Sequence, residues 1–415
     1  MVIQYILILT IFIFLFIIAY IKLKYPFWNN QPVYHNYDLI RRFYKEPFVI
    51  NQYTPNKTKY YDPLHVETFG FRELDSNKKK DCINSIQCFY LNTDKIIHTM
   101  NNMDLNALLS GQTYSSFVSL YYEKQYIQSF DLSGGSITKT NVSLGTITSR
   151  HLNFWYINKY KNKNNFIEMP IYFLDYLCVN RNKDQTTIFR KLMQSHEHNQ
   201  RCLNNNICVS LIKKEIELFS GIIPFVKYNT FTYKLRNTKV QTLPKGYFIV
   251  ELNNENIEKY TDFFYSNADY CSKTEIYDVM IFPDVGNITE MIKQRLLQVY
   301  CLCGNNQIYG FYFFKDAKMY YEDLECNTLH FVASVMNCLT PSIFYSGFTN
   351  CIQNILKKNT SFQILLFENL GHNTLLLPMW NRKYSPIFNN QTAYYLYNMI
   401  FPDSPLSNKR VFILE

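Results

Sequence analysis

The hydrophobic pattern divides the chain at about residue 22. From Val2 to Ile21 no charge occurs, and only Gln4 and Thr10 are clearly polar. A run of roughly 20 residues, apolar all round, has the length of a membrane-spanning helix. Lys22 and Lys24 follow it, then Arg41, Arg42 and Lys45, and the positive-inside rule puts that flank in the cytosol. No basic residue precedes the run and no A-x-A site follows it, which argues against a cleaved signal peptide. The expectation is a single-pass anchor over 2–21, with the body cytosolic or inside a virion.

Beyond residue 22 short apolar runs alternate with polar loops. The strongest is Ile171-Tyr172-Phe173-Leu174-Asp175-Tyr176-Leu177-Cys178-Val179, closed by Asn180 to Gln185. It predicts a strand buried on both faces, with a helix from Thr186 onward. Strand, polar loop and helix N-terminus are either a plain core strand with a surface loop or a frame for a phosphate-bearing ligand, at which free N–H groups and the helix dipole would point. Upstream, Cys82–Leu109 reads as mainly helical. Val118–Phe130 and Val142–Ile157 read as strands with a Gly134-Gly135 turn between them, and Gln52–Pro63 as a polar linker. Cys208–Leu218 fits a strand or a helix.

The second half restarts with a strand at Tyr247–Leu252 and a helical stretch at Ile257–Ser266. A hairpin follows over Val299–Phe313 around Gly304-Asn305-Asn306. Ser361–Phe367 is another buried strand, and Tyr394–Asn398 and Val411–Glu415 read as terminal strands. The similar order of elements predicts an internally duplicated α/β fold, with halves at 22–236 and 237–415.

Composition adds limits. Hydrophobic residues make up 47% of 415, which excludes a disordered chain. The free use of Asn, Lys, Ile and Tyr looks like an AT-rich genome such as that of a large DNA virus or a protist. Net charge is +9, but the basic residues are scattered, and no module for nucleic acid is present. The 11 Cys are irregularly spaced without a CxxC pair, so they read as buried thiols in a reducing compartment and no metal site is expected. His196-Glu197-His198 reads as a solvated helix face. Tyr25–Val33 is kept extended by Pro26 and Pro32, with Phe27 and Trp28 forming either a lid on the core or a stacking platform for a flat ligand.

Four landmarks, in order, resemble the N-myristoyltransferase family. Tyr25-Pro26-Phe27-Trp28-Asn29-Asn30-Gln31-Pro32-Val33 is similar to Y-x-F-W-x-T-Q-P-V, and Leu174–Asn180 to I-N-F-L-C-V-H. Tyr394–Asn398 is similar to Y-Y-L-Y-N-W, and an apolar strand closes the sequence at Glu415. Ser220-Gly221-Ile222-Ile223-Pro224 echoes A-G-V-V-L-P. The resemblance implies two tandem GNAT-like halves sharing a mixed sheet. It implies transfer of a fatty acyl group from acyl-CoA (myristoyl-CoA), a co-substrate and not a resident cofactor, to the N-terminal glycine of a peptide. The amides of Tyr176 and Leu177 would stabilise the oxyanion, and the α-carboxylate of Glu415 would take the amine proton. Tyr25, Phe27 and Trp28 would hold the CoA nucleotide, and Asn182, Thr186 and Thr187 its phosphates.

The chain departs from that pattern where charge and shape matter. Its phosphate stretch is Asp184-Gln185-Thr186-Thr187-Ile188-Phe189 instead of R-S-K-R-L-A. Asp175 replaces an Asn, Asn180 a His, and Phe219 falls where a Thr is expected. The G-x-G-D-G peptide loop becomes Ser385–Asn390, and the acidic run shrinks around Asn92-Thr93-Asp94. The alternative reading is therefore a catalytically inactive body of the same fold, kept as a structural or interaction protein at a membrane.

Overall fold

The computed structural model describes residues 2–91, 95–131, 134–157, 166–235, 238–258, 261, 276–305, 307–337 and 340–415. The shortened acidic run at Asn92–Asp94, the boundary at 236/237 and most of the helical stretch from Ile257 lie outside the described residues.

Helix α1 (Val2–Lys24) carries no charge before Lys22 and buries none of its apolar window against the rest of the chain. Strands β1 (Phe48–Val49) and β2 (Val66–Gly70) follow. Cys82–Leu109, expected to be mainly helical, is broken in three. Helix α2 (Ser76–Phe89) starts at Asp75, whose side chain accepts the Lys78 N–H. Strand β3 (Ile96–His98) pairs with a distant strand, and α3 (Asn102–Leu109) starts at a capping box of Asn101 and Asp104. Long-range pairing overrides helical pattern at β3.

Next come β4 (Phe117–Asp131), β5 (Gly134–Ile157), β6 (Phe166–Val179), α4 (Gln185–Leu203) and β7 (Ser210–Glu215). Gly134 and Gly135 begin β5 opposite Asp131 and Phe130 instead of forming the turn themselves. The ambiguous Cys208–Leu218 is a strand because it pairs in parallel with β6. Beyond it lie β8 (Val226–Lys234), β9 (Tyr247–Glu251), β10 (Val279–Phe282), α5 (Val285–Lys293), β11 (Leu297–Gly304), β12 (Gln307–Tyr321) and β13 (Cys326–Met336). The chain closes with α6 (Pro341–Lys358), β14 (Phe362–Glu368), α7 (Asn373–Asn381), β15 (Phe388–Tyr397), β16 (Met399–Ile400) and β17 (Val411–Ile413).

Among the described residues fifteen strands form one mixed sheet, in the order β17-β10-β5-β6-β7-β15-β8-β14-β13-β12-β11-β9, with β2 and β4 attached at β5 and β3 at β12. The chain is thus mixed α/β around a single large sheet. Its parallel joints explain its strand–helix–strand rhythm: β6–α4–β7 and β13–α6–β14 are both helical crossovers between parallel neighbours. Each crossover follows antiparallel strands, so the same unit occurs twice. Between the two units β15 bridges β7 and β8.

Three further expectations are corrected. The segment 51–62 is not a free linker but a strap tied along α4. His198 Nδ1 lies 2.9 Å from the Pro55 carbonyl, the Asp62 N–H donates to Ser195 Oγ at 2.9 Å, and Arg201 Nη2 donates to the carbonyls of Asn51 and Tyr53. His196-Glu197-His198 is likewise buried instead of solvated, because α4 packs against β2, β4, β5 and β6: His196 Nδ1 lies 2.8 Å from Ser119 Oγ of β4, and His196 and Glu197 are at 0% exposure. Nor are all the cysteines buried thiols, since Cys88 and Cys202 are exposed.

Candidate functional site

The site begins with a register slip in β6. Opposite β5, Thr146 pairs with Cys178 but Thr148 with Asp175, so Tyr176 and Leu177 together face the single residue Ile147. That is a β-bulge, and it gives Tyr176 a φ of +49°. A Tyr in the left-handed region costs about 1–2 kcal/mol. The bulge sends the two side chains to different places. Tyr176 packs against the rings of Tyr90 and His98, whereas Leu177 joins the apolar cluster containing Phe27, Ile188 and Phe189. Strand β6 pairs with β7 only over Tyr172–Leu174, so the two strands part company just before the bulge. The Tyr176 N–H is already used: it donates to its neighbour Asp175 Oδ1 at 2.8 Å.

On the Leu177 side lies a groove of about 360 Å³ lined by Lys24, Tyr25, Trp28, Thr186, Phe189 and Arg190, with Phe27 and Phe219 completing the wall. The sequence around Phe27 is not extended, because Trp28–Asn30 forms a 3-10 turn. That turn leaves the two rings edge to face with centroids 4.9 Å apart. Phe27 is buried at 3% exposure against Tyr60 and Phe189, and Trp28 lies tilted against Phe219 with centroids 4.7 Å apart. Tyr25 is fixed by Gly221, whose φ is +87° and where an added Cβ would lie 2.6 Å from the Tyr25 ring. Helix α4 enters the groove by its N-terminus. Its cap is Asp184, which accepts the Thr187 N–H at 3.1 Å and so occupies one of the free amides. Lys24, at the end of α1, and Arg190, one turn after Thr186, bring positive charge to the groove.

A buried ionic centre lies where the strands of both units meet. Lys213 of β7 donates to Glu368 Oε1 of β14 at 2.5 Å and to Glu415 Oε1 at 2.6 Å. The Tyr228 hydroxyl donates to Glu368 Oε2 at 3.0 Å, and His330 Nε2 is 2.9 Å from Glu368 Oε1. Burial opposes charge on Glu368, but Lys213 and His330 outweigh it and hold the carboxyl at about 2. Burial likewise opposes the Lys213 ammonium, and Glu368 and Glu415 outweigh it and keep it well above the usual lysine range. Glu415 Oε2 is buried without a hydrogen-bond partner, and so is the Tyr394 hydroxyl. Nearer the bulge, burial pushes the Asp175 carboxyl up against the pull of Lys315, and Glu415 adds to the push. Burial pushes Lys315 down against the pull of Asp175. Arg150, fully buried, donates from Nη1 to Asn287 Oδ1 at 3.3 Å and leaves Nε and Nη2 unpaired.

The residues expected at the site therefore fall into three groups. Tyr25, Phe27, Trp28 and Thr186 line the groove together. Tyr176 and Leu177 form the bulge, and Glu415 sits in the ionic centre close enough to bear on Asp175 and Tyr176. Asn182 and Thr187 do not line the groove. The Asn182 N–H closes a local turn on Asn180 Oδ1 at 2.9 Å, and Thr187 serves the helix cap. Sequence reasoning missed Lys24 and Arg190, Arg150 and Lys315, and Lys213 with Glu368. Arg190 alone carried a signal, being four residues after Thr186 on one helix face. Among the described residues, no three His, Cys, Asp or Glu side chains gather as a metal site.

No protein-family model matches the chain. No curated protein matches it either. Solved structures do. Saccharomyces cerevisiae N-myristoyltransferase with bound myristoyl-CoA superposes with a TM-score of 0.67 at 13% identity, over 94% of each chain. A second structure of that enzyme with myristoyl-CoA gives 0.66 at 13%, over 94% of this chain and 99% of the other. A third, with myristoyl-CoA and inhibitors, gives 0.67 at 12%, over 96% and 98%. Across nearly its whole length, then, this chain has the acyltransferase fold of N-myristoyltransferase, at an identity that speaks for the fold alone.

Proposed function

We propose that the protein is a membrane-anchored N-acyltransferase that moves a fatty acyl group from acyl-CoA to the N-terminal glycine amine of a peptide. The carrying observation is the bulge at Tyr176–Leu177, which opens β6 beside the aromatic and basic groove. In this reading the CoA nucleotide and its phosphates lie in the groove against Trp28, Tyr25, Lys24 and Arg190. The thioester reaches the bulge, where backbone N–H groups face the developing oxyanion. The amine attacks the thioester carbon, a carboxylate of Glu415 takes its proton, and the CoA thiolate leaves. Helix α1 crosses the bilayer, and the basic flank of Lys22 and Lys24 keeps the body on the cytosolic side. The two repeated units correspond to an acyl-CoA half (22–236) and a peptide half (237–415).

One observation favours a non-catalytic reading of the same body. The Tyr176 N–H is held by Asp175, so one donor of the oxyanion pair is engaged by an anion. The test takes the full chain in detergent and titrates it with a non-hydrolysable myristoyl-CoA. Micromolar binding is expected, and no binding at high micromolar ligand ends the proposal. Binding without transfer to a glycine peptide, in both the wild type and Asp175→Asn, establishes the non-catalytic reading.

A further inference from the structure

The segment after the groove carries apolar side chains with no partner in the fold. Leu39, Ile40 and Phe43 are 63%, 74% and 83% exposed, and they flank Arg41, Arg42 and Lys45 in one short stretch built on the 3-10 turn Arg41–Phe43. Isolated exposed leucines are ordinary, but three large apolar groups among three cations within seven residues are not a usual solvated loop. The stretch is also held in place. Tyr37 stacks on Tyr25 with centroids 5.9 Å apart and donates to Asn29 Oδ1 at 3.1 Å. The Asn36 N–H donates to the Gly221 carbonyl at 3.1 Å, and Arg42 Nη2 donates to the Asn36 carbonyl at 2.7 Å. Asp38 pairs with Arg41 at 3.1 Å and so fixes the turn. Tyr25 immediately follows α1, so the patch starts within ring contact of the point where that apolar helix ends.

These features name one occupant. We propose that Leu39–Lys45 is an interfacial contact, with Leu39, Ile40 and Phe43 in the headgroup–acyl boundary and Arg42 and Lys45 on anionic lipid phosphates. The inference rests on the reading that α1 enters a bilayer, because that places the patch at the surface. Charge supports it: residues 22–46 hold five Lys and Arg against Asp38 and Glu46. Large apolar groups between cations are the composition of segments that lie in the interface. A bilayer with a negative surface satisfies both parts at once, whereas a protein partner would need a matching apolar and acidic face.

The test reconstitutes the full chain into vesicles of phosphatidylcholine, alone or with phosphatidylserine. An environment-sensitive fluorophore is placed by Phe43→Cys, with the exposed Cys88 and Cys202 changed to Ser. Flotation of the vesicles reports anchoring by α1 separately. The expected result is co-flotation in both lipids, with blue-shifted emission and quenching by lipid-borne nitroxide strengthened by phosphatidylserine. The charge-reversed R42E/K45E chain should still float but lose the phosphatidylserine-dependent part. A chain that floats while the label stays in water overturns the patch and leaves the anchor standing. A chain that does not float overturns both. A label already shielded before vesicles are added, in step with protein concentration, assigns the patch to a second copy of the chain and also overturns the proposal.

Discussion

Replacing Lys213 with Met tests the ionic centre directly. The side chain is nearly isosteric, so the change removes charge and hydrogen bonds with little loss of volume. It leaves Glu368, whose side chain is fully buried, and Glu415, at 6% side-chain exposure, without the cation that both contact. Removing one partner of a buried ion pair costs about 3–5 kcal/mol, because the remaining charge stays desolvated. The direction agrees with this: burial opposes the charge on Glu368, and Lys213 and His330 outweigh it and hold the carboxyl below its ordinary range. The sign follows from the direction. A carboxyl depressed by folding contributes stability that is present above its unfolded value of 4.5 and lost as pH falls from there through 2. Urea unfolding of the full chain in detergent, followed by tryptophan fluorescence, should therefore show Lys213→Met less stable by about 3–5 kcal/mol at neutral pH. The gap should narrow as the pH is lowered towards that of Glu368 protonation. A loss under about 1 kcal/mol, the size of an exposed pair, would refute the buried network. So would a gap that does not change with pH.

Arg190→Ala should weaken CoA binding about tenfold to a hundredfold, the worth of one or more charge-assisted hydrogen bonds, and the difference should shrink in high salt; calorimetry with unchanged affinity would remove Arg190 from the groove's chemistry. Gly221→Ala should destabilise the fold by about 1–2 kcal/mol through its left-handed backbone alone, and should weaken the same binding by displacing Tyr25. A thermal shift with intact affinity would separate the two effects and deny Tyr25 its role. Glu197 is pushed up to about 7 by burial, so its contribution falls as pH rises from its unfolded value of 4.5 through 7. Glu197→Gln should match the wild type at pH 4.5 and exceed it by up to about 3 kcal/mol above pH 7; identical unfolding midpoints at both pH values would count against a strained carboxylate there.

Legibility differed by the range of the interaction. The Ile171–Val179 strand, the helix after it and the Val299–Phe313 hairpin were readable because each is a long run whose pattern is local. The groove's aromatics were readable as a motif. Its cations were not, since Lys24 and Arg190 lie far apart in the sequence and come together only at the groove. The ionic centre is harder still, because Asp175, Lys213, Lys315, Glu368 and Glu415 come from five different strands or strand ends. His196-Glu197-His198 misled for a definite reason. A polar triplet on a helix implies water on that face, but here His196 meets Ser119 of β4, His198 meets the Pro55 carbonyl of the strap, and Glu197 is fully buried.

The bulge also bears on how such a chain can diverge. An extra residue in one strand reverses the in–out alternation for everything after it, so Cys178 and Val179 face where they do only because Tyr176 and Leu177 share one partner. Deleting either would turn the end of β6 inside out and misplace the entry to α4. Substitution carries no such penalty: Asp175 and Tyr176 can change identity while the count is kept. What the fold fixes at this point is the number of residues more than their identity.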